Sequence, residues 1–485
     1  MNPSYAVKSN PEIDYRKKWY VMAAVAMGVF LSTIDGSIVN IALPTLVKEL
    51  GQPLAIVEWV VLAYLLTVTT LMIGMGRLAD MIGKKPLYVA GFVIFTAGSA
   101  LCGSSATVGM LVGFRVFQAV GASMMMALGT AIVTEAFPSE ERGKALGIIG
   151  LMVSIGVIAG PTIGGIILEH LTWNWLFFVN IPVGLVGIPM VLRFVPAIRP
   201  KGHQRFDYWG AVLLLVSLCS FLLALSIGEE IGYAKPVILG MFGLFAVTLA
   251  LFVRVEKTTP EPMIDTTLFR NGWFSVNLVT GFMTFVASAG TILLLPFFLQ
   301  DVIGLSPRTT GLLMAVNPIA IGVLGTISGA LSDRIGSRKL TTLGLFFQIL
   351  GYWLISGITQ NTPLFELVMR ALPMGIGLGI FQSPNNSAVM GAAPRERLGV
   401  VSGMLSISRT LGQMVGISIL SAVWAMKTTR NYLLGIILLN QAEAVGFQQT
   451  TGLLVFWIAA AFLLSFWTLM QERKAAKTQP AGEMM

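Results

Sequence analysis

The chain has 485 residues, of which 55% are hydrophobic and only 11% are charged, and its mean hydropathy is +0.80. Soluble domains carry about 25% charged residues, so this composition excludes a water-soluble globular protein and makes lipid the expected solvent. The net charge of +9 does not indicate nucleic-acid binding, because most basic residues lie in loops between apolar segments. The two cysteines lie far apart in apolar segments and do not support a disulfide framework.

A helix needs about 20 mostly apolar residues to cross a bilayer, and fourteen segments meet that condition. They are residues 19–43, 55–76, 86–105, 108–136, 144–168, 175–195, 208–228, 236–254, 272–299, 308–331, 340–359, 364–391, 399–425 and 450–471. An even number places both termini on one side, and that side receives most of the 32 Lys and Arg residues. Because positively charged loops stay in the cytoplasm, we expect a multi-pass protein of the cytoplasmic membrane with both termini inside.

The chain repeats itself at a shift of about 253 residues, so that Gly76–Lys85 aligns with Gly329–Arg338 and Arg115 with Arg370. Parallel halves of this kind are typical of secondary transporters that rock around a site between the halves. We therefore expect an all-α integral membrane protein made of two six-helix bundles related by pseudo-twofold symmetry, with two inserted helices. The expected divisions are residues 1–200, 201–262 and 263–475, followed by a disordered cytoplasmic tail of residues 476–485.

The first apolar segment contains an acid, Asp35, and the fourth contains a base, Arg115. An ionisable side chain at the centre of a spanning helix costs about 3 kcal/mol or more, so it is expected to have a function. A rise of about 1.5 Å per residue puts both side chains roughly 10–12 Å below the outer surface, where they can pair. Protonation of the carboxylate would release the pair. Two simpler interpretations stay open: a permanent structural ion pair, and an Arg115 side chain that extends to the outer interface.

Three glycine-containing motifs accompany the acid. Gly76–Lys85 lies in a predicted cytoplasmic hairpin, where its glycines allow a tight turn and Asp80 can face the positive N-terminus of a neighbouring helix. Arg115–Ala122 reads RVFQAVGA in the fourth segment. Gly156–Gly165 reads GVIAGPTIGG, in which small residues permit close helix packing and Pro161 bends the helix.

Together with the segment Asp35–Pro44, these motifs resemble the fourteen-helix branch of drug:proton antiporters in the major facilitator superfamily, over nearly the whole chain. Met81 stands where the loop motif of the family has Arg, and Ala119 stands where its helix-4 pattern has Gly. The resemblance implies that Asp35 takes part in proton coupling. It also implies that the hairpin forms a cytoplasmic latch against the helix beginning near Gly399, although the basic residues also serve to hold the loop inside.

The resemblance assigns further residues to roles in conformational change and export. The latch residues are Gly76, Arg77, Asp80, Gly83, Lys84, Lys85 and Asp333. The exporter motif comprises Gly156, Gly160, Pro161, Gly164 and Gly165. Candidates for lining a cargo cavity are Asn40, Gln118, Met125, Gln382, Asn385, Arg370 and Arg409. For Met125, which lies in a methionine cluster, ordinary packing is the simpler interpretation.

We expect a proton-coupled exporter of lipophilic small molecules, or drugs, that works by alternating access. Its expected partners are protons, the small-molecule cargo and membrane lipids. The alternative is an exporter of a specific metabolite, organic anion or amphiphilic lipid, since the spans hold three arginines and one clear acid. No nucleotide-binding Gly-x4-Gly-Lys-Ser/Thr loop occurs, so neither nucleotide nor nucleic acid is expected as a partner. The two histidines lie in predicted loops without clustered metal ligands or a nucleophile–base pair, so we expect no enzyme, metal or cofactor.

Overall fold

The structure, a computed structural model, describes residues 15–138, 141–197, 208–259, 266–392, 398–434 and 438–478. Regular secondary structure within these ranges is helical throughout. The α-helices are α1 Lys18–Leu50, α2 Leu54–Val57, α3 Trp59–Ile82, α4 Lys84–Gly103, α5 Val108–Ala136, α6 Arg142–His170, α7 Trp175–Phe178, α8 Asn180–Phe194, α9 Tyr208–Ile231, α10 Pro236–Thr258, α11 Gly272–Phe297, α12 Pro307–Ile335, α13 Ser337–Ser356, α14 Leu364–Gly391, α15 Leu398–Leu433 and α16 Leu439–Thr478. Short 3-10 helices cover Tyr15–Lys17 and Thr266–Arg270, and a π-helical turn, Phe298–Val302, follows α11.

Eleven helices within the described residues are long and apolar enough to cross a membrane. They correspond to eleven of the fourteen predicted segments. The other three segments, 208–228, 340–359 and 399–425, form α9, α13 and α15, whose described residues do not meet the same length and hydropathy conditions. The count of fourteen spans therefore stays a prediction, while the all-helical membrane architecture is confirmed.

The repeat in the sequence corresponds to the same backbone turn in both parts of the chain. Helices α3 and α4 meet at Gly83, where φ is 101°, and α12 and α13 meet at Gly336, where φ is 90°. Residues with a side chain rarely adopt these angles, so glycine is required at both turns. Gly83 and Gly336 are the aligned glycines of the repeated loop motif.

Helix packing follows the repeat as well. In the N-terminal half, defined as α1–α8, helix α1 packs against α5, α6 and α8, α5 packs against α3 and α4, and α4 packs against α8. In the C-terminal half, defined as α11–α16, helix α11 packs against α14, α15 and α16, α14 packs against α12 and α13, and α13 packs against α16. Each of these pairs has a counterpart in the other half, whereas among the described residues the packing of α15 on α16 in the C-terminal half has no comparable contact between α6 and α8. The remaining helices, α9 and α10, pack on each other, and α9 also contacts α3 and α15.

Two large apolar clusters form the core. One fills the N-terminal half around Tyr88, Phe92 and Phe95 of α4, all fully buried. The second includes residues of both α1 and α11 and contains Phe298 and Phe447, whose rings stack with centroids 4.6 Å apart. The second cluster therefore crosses from one half to the other and holds them together.

The predicted division boundaries near residues 200 and 262 fall in the ranges 198–207 and 260–265, outside the described residues. At the C-terminus, α16 extends to Thr478, and residues 479–485 of the predicted tail lie outside the described part of the chain.

Candidate functional site

Asp35 of α1 and Arg115 of α5 form an ion pair inside the N-terminal half. Arg115 Nη1 lies 2.5 Å from Asp35 Oδ2, and the side chains of Arg115 and Asp35 are 1% and 0% exposed, respectively. Two charges removed from water in this way are stable only when their geometry is good and their remaining hydrogen-bonding atoms also find partners.

The second oxygen of the Asp35 carboxylate accepts two amide hydrogen bonds. Gln118 Nε2 donates to Asp35 Oδ1 at 2.8 Å, and Asn180 Nδ2 donates to the same oxygen at 2.9 Å. Gln118 Nε2 also donates to Ser99 Oγ at 2.8 Å. Helices α1, α5 and α8 therefore meet at one carboxylate whose two oxygens accept three hydrogen bonds, and α4 joins the network through Ser99 and Gln118.

The Arg115 guanidinium has partners of its own besides the acid. Its Nε donates to the Val60 carbonyl at 3.0 Å, and its Nη1 also donates to Gln118 Oε1 at 2.8 Å. Its central carbon lies 4.0 Å from the centroid of the Tyr64 ring, which is a cation–π contact. Because Val60 and Tyr64 belong to α3, the arginine connects α3 to the same network.

Close approach of the α4 and α5 backbones places Gln118 beside Ser99 and Asp35. A Cβ atom added to Gly98 of α4 would lie only 2.6 Å from the Gln118 Cα, and one added to Gly121 would lie 2.5 Å from the Phe95 backbone nitrogen. Any larger residue at either glycine would push α4 and α5 apart. The glycines thereby bring Ser99 and Gln118 within hydrogen-bonding distance.

The network differs from the sequence-based expectation in where it lies. We expected Asp35 to take part in proton coupling, which requires access to water, but its side chain has no exposed surface, and its side-chain partners all belong to the N-terminal half. The reason is that three donors replace water around the carboxylate. The alternative in which Arg115 extends to the outer interface is wrong for this conformation. The sequence also gave no role to Asn180, whose only signal is an amide within an apolar segment.

The glycines of the exporter motif face two different neighbours of α6. Gly156, Gly160 and Gly164 lie against α1: added Cβ atoms would meet Thr33 Cβ at 2.8 Å, Ser37 Oγ and Ile41 Cγ2 at 2.7 Å, respectively. Ser37 Oγ donates to the Gly156 carbonyl at 3.1 Å. Helix α6 therefore packs on α1 with backbone close to backbone.

The other two residues of the motif lie at the contact between the halves. A Cβ added to Gly165 would lie 2.5 Å from the Pro307 carbonyl oxygen of α12, and one added to Gly311 of α12 would collide with the Pro161 carbonyl. Helices α6 and α12 thus also touch through their backbones. The motif therefore forms two contacts of α6, one with α1 within the N-terminal half and one with α12 between the halves.

The predicted latch lies partly outside the described part of the structure, because the side chains of Arg77, Asp80 and Asp333 and the start of α15 near Gly399 are not described. Among the described latch residues, Gly83 forms the turn, and Lys84 pairs with Glu135 of α5. Gly76 has open space around its Cα, and Lys85 is half-buried. The latch contact itself stays a prediction.

Three of the seven candidates for a cargo cavity come together in the C-terminal half. Gln382, Asn385 and Arg409 line a cavity of about 140 Å³ between α11, α14 and α15. The other four lie elsewhere: Gln118 bonds to Asp35, Met125 is fully buried in the core, Asn40 donates to the Gly36 carbonyl at 3.2 Å, and Arg370 pairs with Glu366 at 2.5 Å.

Comparison with known proteins identifies the family. The family model of the Major Facilitator Superfamily matches residues 25–417 and 278–484. The chain belongs to the major facilitator superfamily. This superfamily member is therefore a multi-pass transport protein and not an enzyme, as the sequence predicts.

Individual relatives in the superfamily are transporters named for different cargoes. The chain is 37% identical over 417 residues to the riboflavin transporter RibZ of Clostridioides difficile (strain 630), covering 86% of this chain and 90% of the relative. It is 31% identical over 418 residues to the multidrug transporter protein MdtP of Bacillus subtilis (strain 168), covering 86% and 77%.

Among solved structures, a bacterial homolog of the human lysosomal transporter Spinster, in an inward-facing and unoccupied conformation, has the same fold with a TM-score of 0.67. Its sequence is 18% identical, and the match covers 93% of this chain and 96% of that chain.

Proposed function

We propose that this superfamily member is a proton-coupled exporter of lipophilic small molecules, of the fourteen-helix drug:proton antiporter branch. It would have both termini in the cytoplasm and two pseudo-twofold-related halves that alternate around a central site. The observation that carries the proposal is the buried ion pair of Asp35 and Arg115. Neutralising Asp35 would weaken the hydrogen bonds and the ion pair that join α1, α3, α5 and α8. Some relatives are named as multidrug transport or resistance proteins, which supports lipophilic small molecules as the cargo class.

Contacts between the halves support alternating access with the outer side closed. Lys48 pairs with Asp301 at 2.5 Å, and Gln300 Nε2 donates to the Ile41 carbonyl at 3.3 Å. Along α6 and α12 the packing becomes looser towards the predicted inner side. A Cβ on Gly322 would lie 3.8 Å from Ser154 Cβ, and one on Gly150 would have no atom within 4 Å. We infer an inward-facing conformation.

Protonation of Asp35 would act on this conformation through the Arg115 pair. A proton favours one of two conformations only if it binds them with different affinity. In the inward-facing conformation three donors occupy the two carboxylate oxygens and the side chain has no exposed surface, so the proton would bind in the outward-facing one, where water must reach the acid. A protonated Asp35 would leave Arg115 with the Val60 carbonyl and Gln118, and α1 could then move relative to α5.

The competing interpretation is a permanent structural ion pair, which the complete burial of Asp35 and its three donors favour. The two interpretations predict different responses of transport to the proton gradient in two variants. These are Asp35→Asn and the double variant Asp35→Asn/Arg115→Gln, in which a neutral pair of similar size replaces the ion pair. A structural pair would allow the double variant to transport with a normal response to the proton gradient. A coupling pair would allow it to fold without that response.

The experiment measures dye accumulation in inverted membrane vesicles with an imposed proton gradient. Wild type is expected to respond to the gradient, and Asp35→Asn and the double variant are expected to have lost the response. Glu366→Gln is the matched control, because it removes an acid from an ion pair that is partly exposed. A normal gradient response in Asp35→Asn or in the double variant would show that Asp35 does not couple protons to transport.

Export of a specific metabolite, organic anion or amphiphilic lipid is the second candidate function. It is favoured by the 37% identical relative named as a riboflavin transporter. The same vesicles separate the two candidates: unlabelled riboflavin should compete strongly with dye transport if a specific metabolite is the cargo, and weakly if the protein is a general drug exporter.

A further inference from the structure

The cavity in the C-terminal half has a polar lining with one charge. It lies between α11, α14 and α15, and its polar residues include Asn277, Gln382, Asn385, Asn386, Ser408 and Arg409. Among the described residues the cavity lining includes no acid, so Arg409 gives this lining a positive charge. This chemistry differs from the network around Asp35, where acid and base neutralise each other.

Arg409 stands apart from the other two arginines within the predicted spans. Arg115 pairs with Asp35 and Arg370 pairs with Glu366, whereas Arg409 makes no hydrogen bond or ion pair with the described residues. A guanidinium removed from water without a partner is costly, and its flat array of donors matches a carboxylate or phosphate.

Asn385 is a second group in the cavity with an unused hydrogen-bonding atom. Its side chain is 3% exposed, and within the described part of the chain its Oδ1 has no hydrogen-bond partner. Buried polar atoms almost always have a partner, and an unsatisfied one costs about 1–3 kcal/mol. Asn385 and Arg409 thus offer an acceptor and several donors to the same cavity.

The cavity lies on the side from which an exporter collects its cargo. Asn277, Asn385 and Arg409 are roughly 8, 9 and 17 Å along their helices from the predicted cytoplasmic ends, at about 1.5 Å per residue. The contacts between the halves, such as Lys48 with Asp301, lie at the opposite end. A molecule that enters between the halves from the cytoplasm therefore meets this lining.

The size of the cavity limits what it can hold. Pockets that enclose a whole drug-sized molecule measure about 300–1,000 Å³, and this one measures about 140 Å³. It can hold one polar group and the adjoining edge of a ring, and Phe285 in its lining provides an aromatic surface for that ring. The rest of the molecule would extend out of the cavity towards the N-terminal half.

We propose that this cavity binds the anionic end, a carboxylate or phosphate, of an aromatic organic anion, with Arg409 as its charged partner and the Gln382 amide as a neutral donor. Asn385 Oδ1 would accept a hydrogen bond from a hydroxyl or N–H group of the same molecule. This inference rests on the proposed transport function and selects organic anions from its cargo classes. A cation is disfavoured, because the described lining residues include one positive charge and no acid to balance a second one.

The test uses two dyes that share a xanthene ring system and differ in charge: fluorescein, an anion at pH 8, and rhodamine 123, a cation. Fluorescence anisotropy measures their binding to the purified full-length protein in detergent, without a proton gradient. We expect wild type to bind fluorescein more tightly than rhodamine 123. We expect Arg409→Gln to weaken fluorescein binding about tenfold or more and to leave rhodamine 123 unchanged, since hydrogen bonds to charged groups contribute most.

Three variants complete the design. Arg409→Lys keeps the charge but loses the flat donor array, and should bind fluorescein with intermediate affinity. Gln382→Leu removes a neutral partner, and should weaken fluorescein binding less than Arg409→Gln does. Arg430→Gln is the matched control: it removes one positive charge from an exposed position on the same helix, about 30 Å away, and should change nothing.

Three results would overturn the proposal: wild type that does not bind fluorescein, wild type that prefers rhodamine 123, or Arg409→Gln that binds fluorescein as wild type does. If Arg409→Gln elutes as an aggregate in size-exclusion chromatography, Arg409→Lys is measured in its place. Wild-type affinity of Arg409→Lys for fluorescein would then overturn the proposal. Binding is measured without a gradient, so Asp35→Asn should retain it. Failure of proton coupling and failure of this site are therefore distinguishable.

Discussion

Lys48 at the end of α1 and Asp301 after α11 form an ion pair, 2.5 Å long, between the two halves of the molecule. Their side chains are 66% and 22% exposed, so the pair is accessible to water. An ion pair of this kind contributes about 0.2–1 kcal/mol. It can therefore bias the choice between two conformations without preventing the change.

Lys48→Gln is expected to shift the conformational equilibrium towards the outward-open state by a factor of roughly 2 to 5, which corresponds to the loss of an exposed pair. Distances between spin labels on the predicted outer ends of α1 and α11 would report the populations. The charge-reversed double variant Lys48→Asp/Asp301→Lys is the control and should restore the wild-type distribution. Equal populations in wild type and Lys48→Gln would mean that the pair has no effect on opening.

The aligned arginines Arg115 and Arg370 should respond very differently to substitution. Arg115→Gln leaves the fully buried Asp35 carboxylate without its charged partner, and we expect a loss of about 3–5 kcal/mol in the free energy of unfolding. Arg370→Gln breaks a pair whose side chains are 29% and 44% exposed, and should cost about 1 kcal/mol or less. Chemical denaturation in detergent micelles measures both. Similar losses in the two variants would contradict the difference in burial.

Asn180→Leu is expected to destabilise the protein by about 1–3 kcal/mol, because it removes a donor from a buried carboxylate while keeping a similar volume. The same denaturation assay measures the change. In the background of Asp35→Asn, where the charge is already absent, Asn180→Leu should cost less. An equal cost in both backgrounds would show that Asn180 acts by packing and not through the carboxylate.

Gly160→Ala should impair both folding and transport, since its Cβ would collide with Ser37 and lie 2.9 Å from the Ile38 backbone nitrogen. Overpacking of this kind costs about 1–3 kcal/mol. Gly150→Ala is the matched control on the same helix, because a Cβ there meets no atom within 4 Å. Yield after purification, thermal unfolding and dye transport should fall for Gly160→Ala alone, and a normal Gly160→Ala protein would mean that α1 and α6 can separate easily.

The contact between Asp35 and Arg115 could be anticipated from the sequence because helix rise is regular, which makes depth in the membrane a matter of counting residues. The aligned turns at Gly83 and Gly336 follow from the repeat for a similar reason, since a repeated motif folds in a repeated way.

The neighbours of each side chain around the helix axis could not be anticipated. Arg370 and Arg409 were both candidates for lining a cavity, yet Arg370 pairs with Glu366 and only Arg409 lines the cavity with Gln382 and Asn385. Asn180 was not singled out, because its role depends on how α8 packs on α1. Such facts depend on tertiary packing, which neither hydropathy nor residue spacing encodes.

The backbone contact of α6 with α12 restricts how the transporter can move. The Pro161 carbonyl lies directly against Gly311, with no side chain between them to change rotamer and make room. Sliding one helix along the other would drive this carbonyl into the next side chain. If the two halves alternate as proposed, we expect them to rotate about an axis through this contact, so that the separation of residues 161 and 311 stays nearly constant while the two openings of the transporter widen and narrow in turn.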